Sequence, residues 1–291
     1  MGSSESLVVE FKSSMMKTFE MTDFGLLQYF LGLEVKQGID RTFVSQKKYC
    51  IELLKRFNML NGEIAVTPMN INEKLQHEDG TEGANSTHFR SLVGGLNYLT
   101  HTRPDIAYSV SLVSRYLHKP TKQHFCAAKQ ILRYVAGTVE FGIWYSKKSR
   151  LKLIGFSDSD WAGSLDDRKS TSRNIFSLGS GVITWSSKKK ETVALSSSEA
   201  EYAAATSATR QTLWLRKLLT DLGCVQTEAT EILCDNRAAI AMSKNRAFHA
   251  RTKHVDIKHH FIRQLVSDGK VVLKFRGTNE QVADIFTKAL P

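Results

Sequence analysis

The chain has 291 residues, 42% hydrophobic and 24% charged, enough apolar material for a full core divided over two domains and unlike a disordered or collagen-like chain. Forty Lys and Arg against 29 Asp and Glu give a formal net charge of +11, which favours an anionic partner such as nucleic acid or a membrane surface. Apolar runs fall far short of the ~20 residues that a bilayer span needs, and no basic-then-apolar leader opens the chain, so the reading is a non-secreted protein of the cytoplasm or nucleus.

In chain order, a helical pattern opens the first seventy-odd residues. A Gly-punctuated strand stretch follows (Leu31 to Val35, Thr42 to Ser45), then a helix from Gln46 to Asn58. The polar segment Asn72 to Thr87 reads as a linker. Ile106, Val110, Val113 and Leu117 recur at helical spacing after Pro104, and Phe125, Ala128, Leu132 and Val135 repeat the pattern until Gly137, giving a connecting helical hairpin. From Phe141 the pattern becomes strands: Ile143 to Ser146, Leu151 to Ser157, Asn174 to Leu178, Val182 to Ser186 and Thr192 to Leu195. A helix from Glu199 to Leu222 ends at Gly223. A strand (Glu231 to Cys234), two helices (the second from Val255 to Val266), a strand (Val271 to Phe275) and a last helix near Lys288 complete the chain. Hairpin strands followed by alternating helices and strands describe an α/β fold, a mixed sheet with flanking helices.

Cys50, Cys126, Cys224 and Cys234 stand apart with no CxxC pair, which fits reduced core thiols. Met1, Gly2 and Ser6 satisfy the myristoylation template, but Glu5 and Glu10 outnumber Lys12 there and a coincidental start is the better reading.

Four acids sit where an acid is locally unhelpful: Asp158 and Asp235 at strand ends, Glu201 at the start of the long helix, and Asp284 among apolar neighbours on the last one. Each has a bland alternative; Glu201 follows Ser198 at capping-box spacing, and the two strand-end Asp residues could form turns. In an α/β sheet, however, the carboxyl ends of adjacent strands converge. Four converging carboxylates repel unless a cation joins them, and hard oxygen ligands select Mg²⁺ or Mn²⁺, two ions making the clamp for phosphoryl displacement.

The segments Gly155-Phe156-Ser157-Asp158-Ser159-Asp160-Trp161-Ala162-Gly163, Ser196-Ser197-Ser198-Glu199-Ala200-Glu201-Tyr202, Cys234-Asp235-Asn236 and Gln281 to Lys288 closely resemble the ribonuclease H domain of copia-type LTR retrotransposon Pol polyproteins. Thr102-Arg103-Pro104-Asp105, His118-Lys119-Pro120-Thr121 and Arg251-Thr252-Lys253-His254 are similar to the same family's connection and ribonuclease H regions, and Phe19 to Gly32 to the end of its reverse transcriptase. The resemblance implies a truncated reverse-transcriptase tail of α+β type over residues 1–75, a linker and helical connection over 76–140, and a ribonuclease H-like domain over 141–291. It implies cleavage of the RNA strand of an RNA/DNA hybrid, with Asp158, Glu201, Asp235 and Asp284 as metal-binding acids, Glu199 and Asp160 as reserves, and no small-molecule cofactor or membrane partner. Three departures stand out. No His lies in Arg276-Gly277-Thr278-Asn279, Arg173 follows Ser-Thr-Ser where the family has Gly, and no Tyr-x-Asp-Asp polymerase motif exists, so no polymerase activity is expected.

From Arg237 to Arg263, seven basic residues (Arg237, Lys244, Arg246, Arg251, Lys253, Lys258 and Arg263) face one acid, Asp256, a candidate track for a phosphate backbone. His249, His254, His259 and His260 crowd the same window without zinc spacing. Trp161, Trp185 and Trp214 could stack on bases, but their places in strand and helix patterns favour core packing. The alternative to an enzyme is a decayed remnant that binds nucleic acid without turnover.

Overall fold

The computed structural model describes residues 5–23, 25–26, 28–70, 73–244 and 256–277. Helix α1 (Glu5–Thr18) leads into an antiparallel meander, β1 (Tyr29–Phe30), β2 (Leu33–Gln37) and β3 (Arg41–Ser45). The strand expected from Leu31 starts two residues later. Leu31 and Gly32 both have positive φ, 46° and 74°, the pattern of a two-residue hairpin turn that follows the natural twist of the strands.

Strand β4 (Gly142–Ser146) forms where expected but joins the N-terminal sheet rather than the C-terminal one, giving the order β1-β2-β3-β4. Side chains decide its allegiance. Phe43 lies opposite Trp144 with ring centroids 4.6 Å apart, and the Arg41 guanidinium covers the same indole at 4.6 Å. The break between sheets therefore falls after Ser146 instead of at residue 141.

Helices α2 (Lys47–Arg56), α3 (Ser86–Leu99), α4 (Ala107–Val113, with 3₁₀ turns on either side) and α5 (Lys122–Gly137) share one core of residues that include Leu53, Phe89, Leu92, Leu96, Val110, Ile131 and Leu132. Helix α3 goes beyond the expected helical hairpin. Its side chains at Phe89, Leu92, Val93, Leu96 and Leu99 keep helical spacing, and the Asn85 side chain caps it by accepting from His88 N at 2.9 Å. The Gly94-Gly95 pair masks this pattern. A Cβ at Gly95 would meet the tip of the Leu53 side chain of α2, which packs into the space that the glycine leaves.

The segment read as a linker is tied down rather than loose. Leu75 is buried, Tyr116 Oη donates to its carbonyl at 2.7 Å, and Thr121 Oγ1 reaches Asp79 at 2.5 Å. The N–H of His77 donates to Asp166 Oδ1 at 2.9 Å, which pins the segment to the second sheet.

That sheet is built from β5 (Leu153–Ser159), β6 (Thr171–Leu178), β7 (Gly181–Lys189), β8 (Thr230–Cys234) and β9 (Val271–Phe275) in the order β7-β6-β5-β8-β9. β5, β6 and β7 run antiparallel as successive hairpins, while β5–β8 and β8–β9 are parallel. Helices α6 (Ser197–Asp221), α7 (Arg237–Lys244) and α8 (Asp256–Ser267) make the crossovers, and Tyr202, Ala205, Leu215 and Leu219 of α6 pack on Leu153, Phe176 and Ile232. The expected α/β mixed sheet with hairpin strands and flanking helices is thus present. The strand expected over Thr192 to Leu195 is not. Those residues form an irregular loop whose Leu195 N–H and Ala194 carbonyl bond to Glu199 and Trp161 side chains instead of to a sheet. The last helix, near Lys288, lies outside the described residues.

The opposite face of the sheet is covered by α4. Ala107 packs with Phe156, Ile175 and Leu233, Ser111 Oγ donates to Ser187 O at 2.9 Å, and Arg115 Nη2 donates to Thr171 Oγ1 at 2.9 Å. The helical unit and the second sheet are therefore joined through β5, β6, β7 and β8. No helix among the described residues is long and apolar enough to cross a membrane.

Candidate metal centre

Parallel pairing of β5 with β8 brings their carboxyl ends side by side, and with them Asp158 and Asp235. Helix α6 starts above these ends. Its N-cap is Ser196, not Ser198; the Ser196 hydroxyl accepts from Glu199 N at 3.2 Å, and Glu199 Oε2 accepts from Leu195 N at 2.8 Å. The capping task weighed for Glu201 thus falls to Glu199. Glu201, two residues on, turns inward, is only 5% exposed, and accepts from the N–H of Ser159 at 3.1 Å.

Ligand atoms of Glu201, Cys234 and Asp235 all lie within 4.8 Å of one another. Burial first, then the charges of Asp158 and Asp235, push the Glu201 carboxyl up to about 9. Without a cation, burial and the crowding of three carboxylates favour a proton on the cluster, and a cation would displace it. Cys234 Sγ points at Glu201 Oε2 at 3.9 Å, and burial, reinforced by Glu201, pushes its thiol up to about 12. A protonated thiol is a poor ligand. The useful donors are carboxylate oxygens, which fit a hard divalent cation.

Buried thiols also resist chemistry. Burial raises Cys50 to about 11, and Cys126 is exposed. Iodoacetamide at pH 8 should therefore label Cys126 in the native protein and spare Cys50 and Cys234, which react only in denaturant; mass spectrometry of the alkylated peptides checks this.

Arg173 on β6 stands directly across from Asp158. Its guanidinium is buried, with Nη1 3.4 Å from Asp158 Oδ2, Nη2 3.6 Å from Asp160 Oδ2, and Cζ 4.9 Å from the Tyr108 ring centroid. Desolvation pulls the guanidinium below its ordinary range, and Asp160 and Asp158 oppose that shift. Asp160, the reserve for Asp158, also accepts from the N–H of Thr171. From sequence Arg173 stood out only as a departure, and its reach into the acid cluster needed the β5–β6 register.

The structure brings together Asp158, Glu201 and Asp235; Asp284 lies outside the described residues. Of the basic track, Arg237 and Lys244 are exposed on α7, with Arg237 stacked over Phe275 at 4.6 Å. Arg246, Arg251 and Lys253 fall outside the described residues, as do His249 and His254, and the side chains of Lys258, His259 and His260 are not described. The tryptophans depart from the core reading. Trp161 and Trp214 are more than half exposed, and Trp185 alone packs, against Phe156 and Ile175.

Residues 1–71 match the reverse transcriptase (RNA-dependent DNA polymerase) family. Over 289 residues the chain is 40% identical to the retrovirus-related Pol polyprotein from transposon RE1 of Arabidopsis thaliana, an alignment covering 99% of this chain and 20% of that protein. An uncharacterized mitochondrial protein of Arabidopsis thaliana is 39% identical over 214 residues, 73% of this chain and 88% of that one. Among solved structures, LC11-RNase H1 in complex with an RNA/DNA hybrid superposes with a TM-score of 0.35 at 12% identity, covering 46% of this chain and 91% of that one. The chain spans about a fifth of the length of the Pol polyprotein it matches.

Proposed function

Because this chain belongs to the copia-type retrotransposon Pol polyprotein family, we propose that its C-terminal sheet is a metal-dependent ribonuclease that hydrolyses the RNA strand of RNA/DNA hybrids. The observation that carries this reading is the convergence of three acids from separate elements, Asp158, Glu201 and Asp235, in a protein of formal net charge +11. Asp284 is proposed as the fourth acid. A bound Mg²⁺ or Mn²⁺ would activate water and stabilise the leaving oxygen.

The residues of the chain do the rest. The Ser159 N–H fixes the Glu201 carboxylate, so its orientation is set before substrate arrives. Arg237 and Lys244, with Arg246, Arg251, Lys253 and Lys258 further along, are proposed to neutralise phosphates of the hybrid, which makes binding steeply salt-dependent and insensitive to sequence. No polymerase activity is expected of these 291 residues, which lack a Tyr-x-Asp-Asp motif.

The test is cleavage of an end-labelled RNA/DNA hybrid by the purified chain with Mg²⁺ or Mn²⁺, beside Asp158→Asn and Asp235→Asn and against duplex DNA and single-stranded RNA. Hybrid-only, metal-dependent cutting that both substitutions abolish supports the proposal. Salt-sensitive binding without cutting by the folded protein overturns it in favour of a nucleic-acid-binding remnant, a reading that the Arg173–Asp158 ion pair favours.

A further inference from the structure

Metal sites built from carboxylates balance charge with cations from solution. Here a cation is already built in. Arg173 is 1% exposed, sits opposite Asp158 in the β5–β6 register, and reaches the carboxylates of Asp158 and Asp160 at 3.4 and 3.6 Å. Its place is fixed from the far side by the Tyr108 ring of α4, 4.9 Å from Cζ. Nε and Nη2 are buried without a hydrogen-bond partner among the described residues, so the group is held at the acids by charge and packing more than by a hydrogen-bond cage.

We infer that Arg173 is a resident counter-ion of the acid cluster: its guanidinium pairs with Asp158, so that the three acids take a divalent ion more weakly than they would without it. The inference rests on the proposed metal-dependent function and specifies how the site is tuned. A guanidinium cannot be displaced the way a solvent cation can, and its positive charge opposes an incoming divalent ion a few ångströms away. Tyr108 makes the helical unit part of this arrangement, since the ring that backs the guanidinium belongs to α4 and not to the sheet.

The experiment titrates Mn²⁺ alone into the full chain by calorimetry and follows thermal unfolding in EDTA and in Mn²⁺, for the wild type, Arg173→Met, Arg173→Lys and Asp235→Asn. Arg173→Met should bind Mn²⁺ at least tenfold more tightly than wild type. It should melt lower in EDTA, where the acid cluster loses its one built-in positive charge among the described residues, and recover that loss when Mn²⁺ is added. Arg173→Lys, which keeps the charge, should bind like wild type. Arg173→Gln, which still donates a hydrogen bond to Asp158, replaces the Met variant if that fails to fold. Equal affinity in wild type and Arg173→Met, with binding lost in Asp235→Asn, overturns the role of Arg173 while the metal site stands. A melting loss that Mn²⁺ does not repair reduces Arg173 to packing and overturns it as well. No Mn²⁺ binding by any variant removes the metal-dependent function and this inference together.

Discussion

Glu201→Gln should make the metal-free protein more stable at pH 8 while cutting hybrid cleavage by about 100-fold or more, since even supporting groups around a metal are worth 10–100-fold. The sign follows from proton binding. The Glu201 carboxyl has an ordinary value of 4.5 and is pushed up to about 9 by burial and by Asp158 and Asp235. Between these two values the folded protein holds a proton that the unfolded chain has released, so stability is full below pH 4.5 and is lost as pH rises toward 9. The wild type in EDTA should therefore lose stability steadily between pH 5 and pH 8. Glutamine keeps the shape without the charge, and the slope should flatten. Urea unfolding across this range in EDTA checks the prediction; an unchanged slope would mean that Glu201 is not what the cluster strains against. Adding Mg²⁺ or Mn²⁺ should flatten the wild-type slope too, because the cation replaces the proton.

The second large effect lies far from the acids. Arg103→Met should cost about 3 kcal/mol, the low end of the range for stranding one partner of a buried ion pair, because Asp105 reaches solvent and keeps Tyr134. Arg103 is 1% exposed. Its Nε and Nη2 donate to Asp105 at 2.9 and 2.7 Å, and Nη1 and Nη2 donate to the Thr138 carbonyl and hydroxyl at 2.9 and 2.6 Å. Tyr134 Oη donates to the same Asp105 at 2.9 Å. This one side chain ties the turn before α4 to the end of α5. Small domains have about 5–15 kcal/mol in all, so the urea midpoint should fall sharply. Converting Asp105 to Asn in the same chain should recover part of the loss, because the remaining uncompensated charge is then gone.

Arg103 also marks how far a sequence can be read. Thr102-Arg103-Pro104-Asp105 stands out as a family motif, and its physical task is a structural lock rather than chemistry. The resemblance puts Glu201 ahead of Glu199 because it precedes Tyr202 and the alanines, and the capping geometry at Ser196 supplies the physical reason, assigning Glu199 to the helix end while Glu201 turns inward. Helical and strand periodicity places α2, α6 and β9 to within about two residues, and the end of α5 at Gly137, because each buries one regular face. Strand β4 was visible as a strand, but its partner was not. Pairing is a long-range choice settled by Phe43 and Trp144, about which local pattern is silent. Arg173 was legible as an oddity and illegible as a neighbour of Asp158 for the same reason.

The late arrival of β4 bears on how the chain is made. Ser45 pairs with Gly142, so β3 must close a loop of about a hundred residues before the first sheet is finished, a costly closure for chain entropy. During synthesis β3 therefore has an open edge until the chain beyond α5 is made. The first sheet can be finished only after β4 is available, and until then the free edge of β3 is one with which another chain could pair.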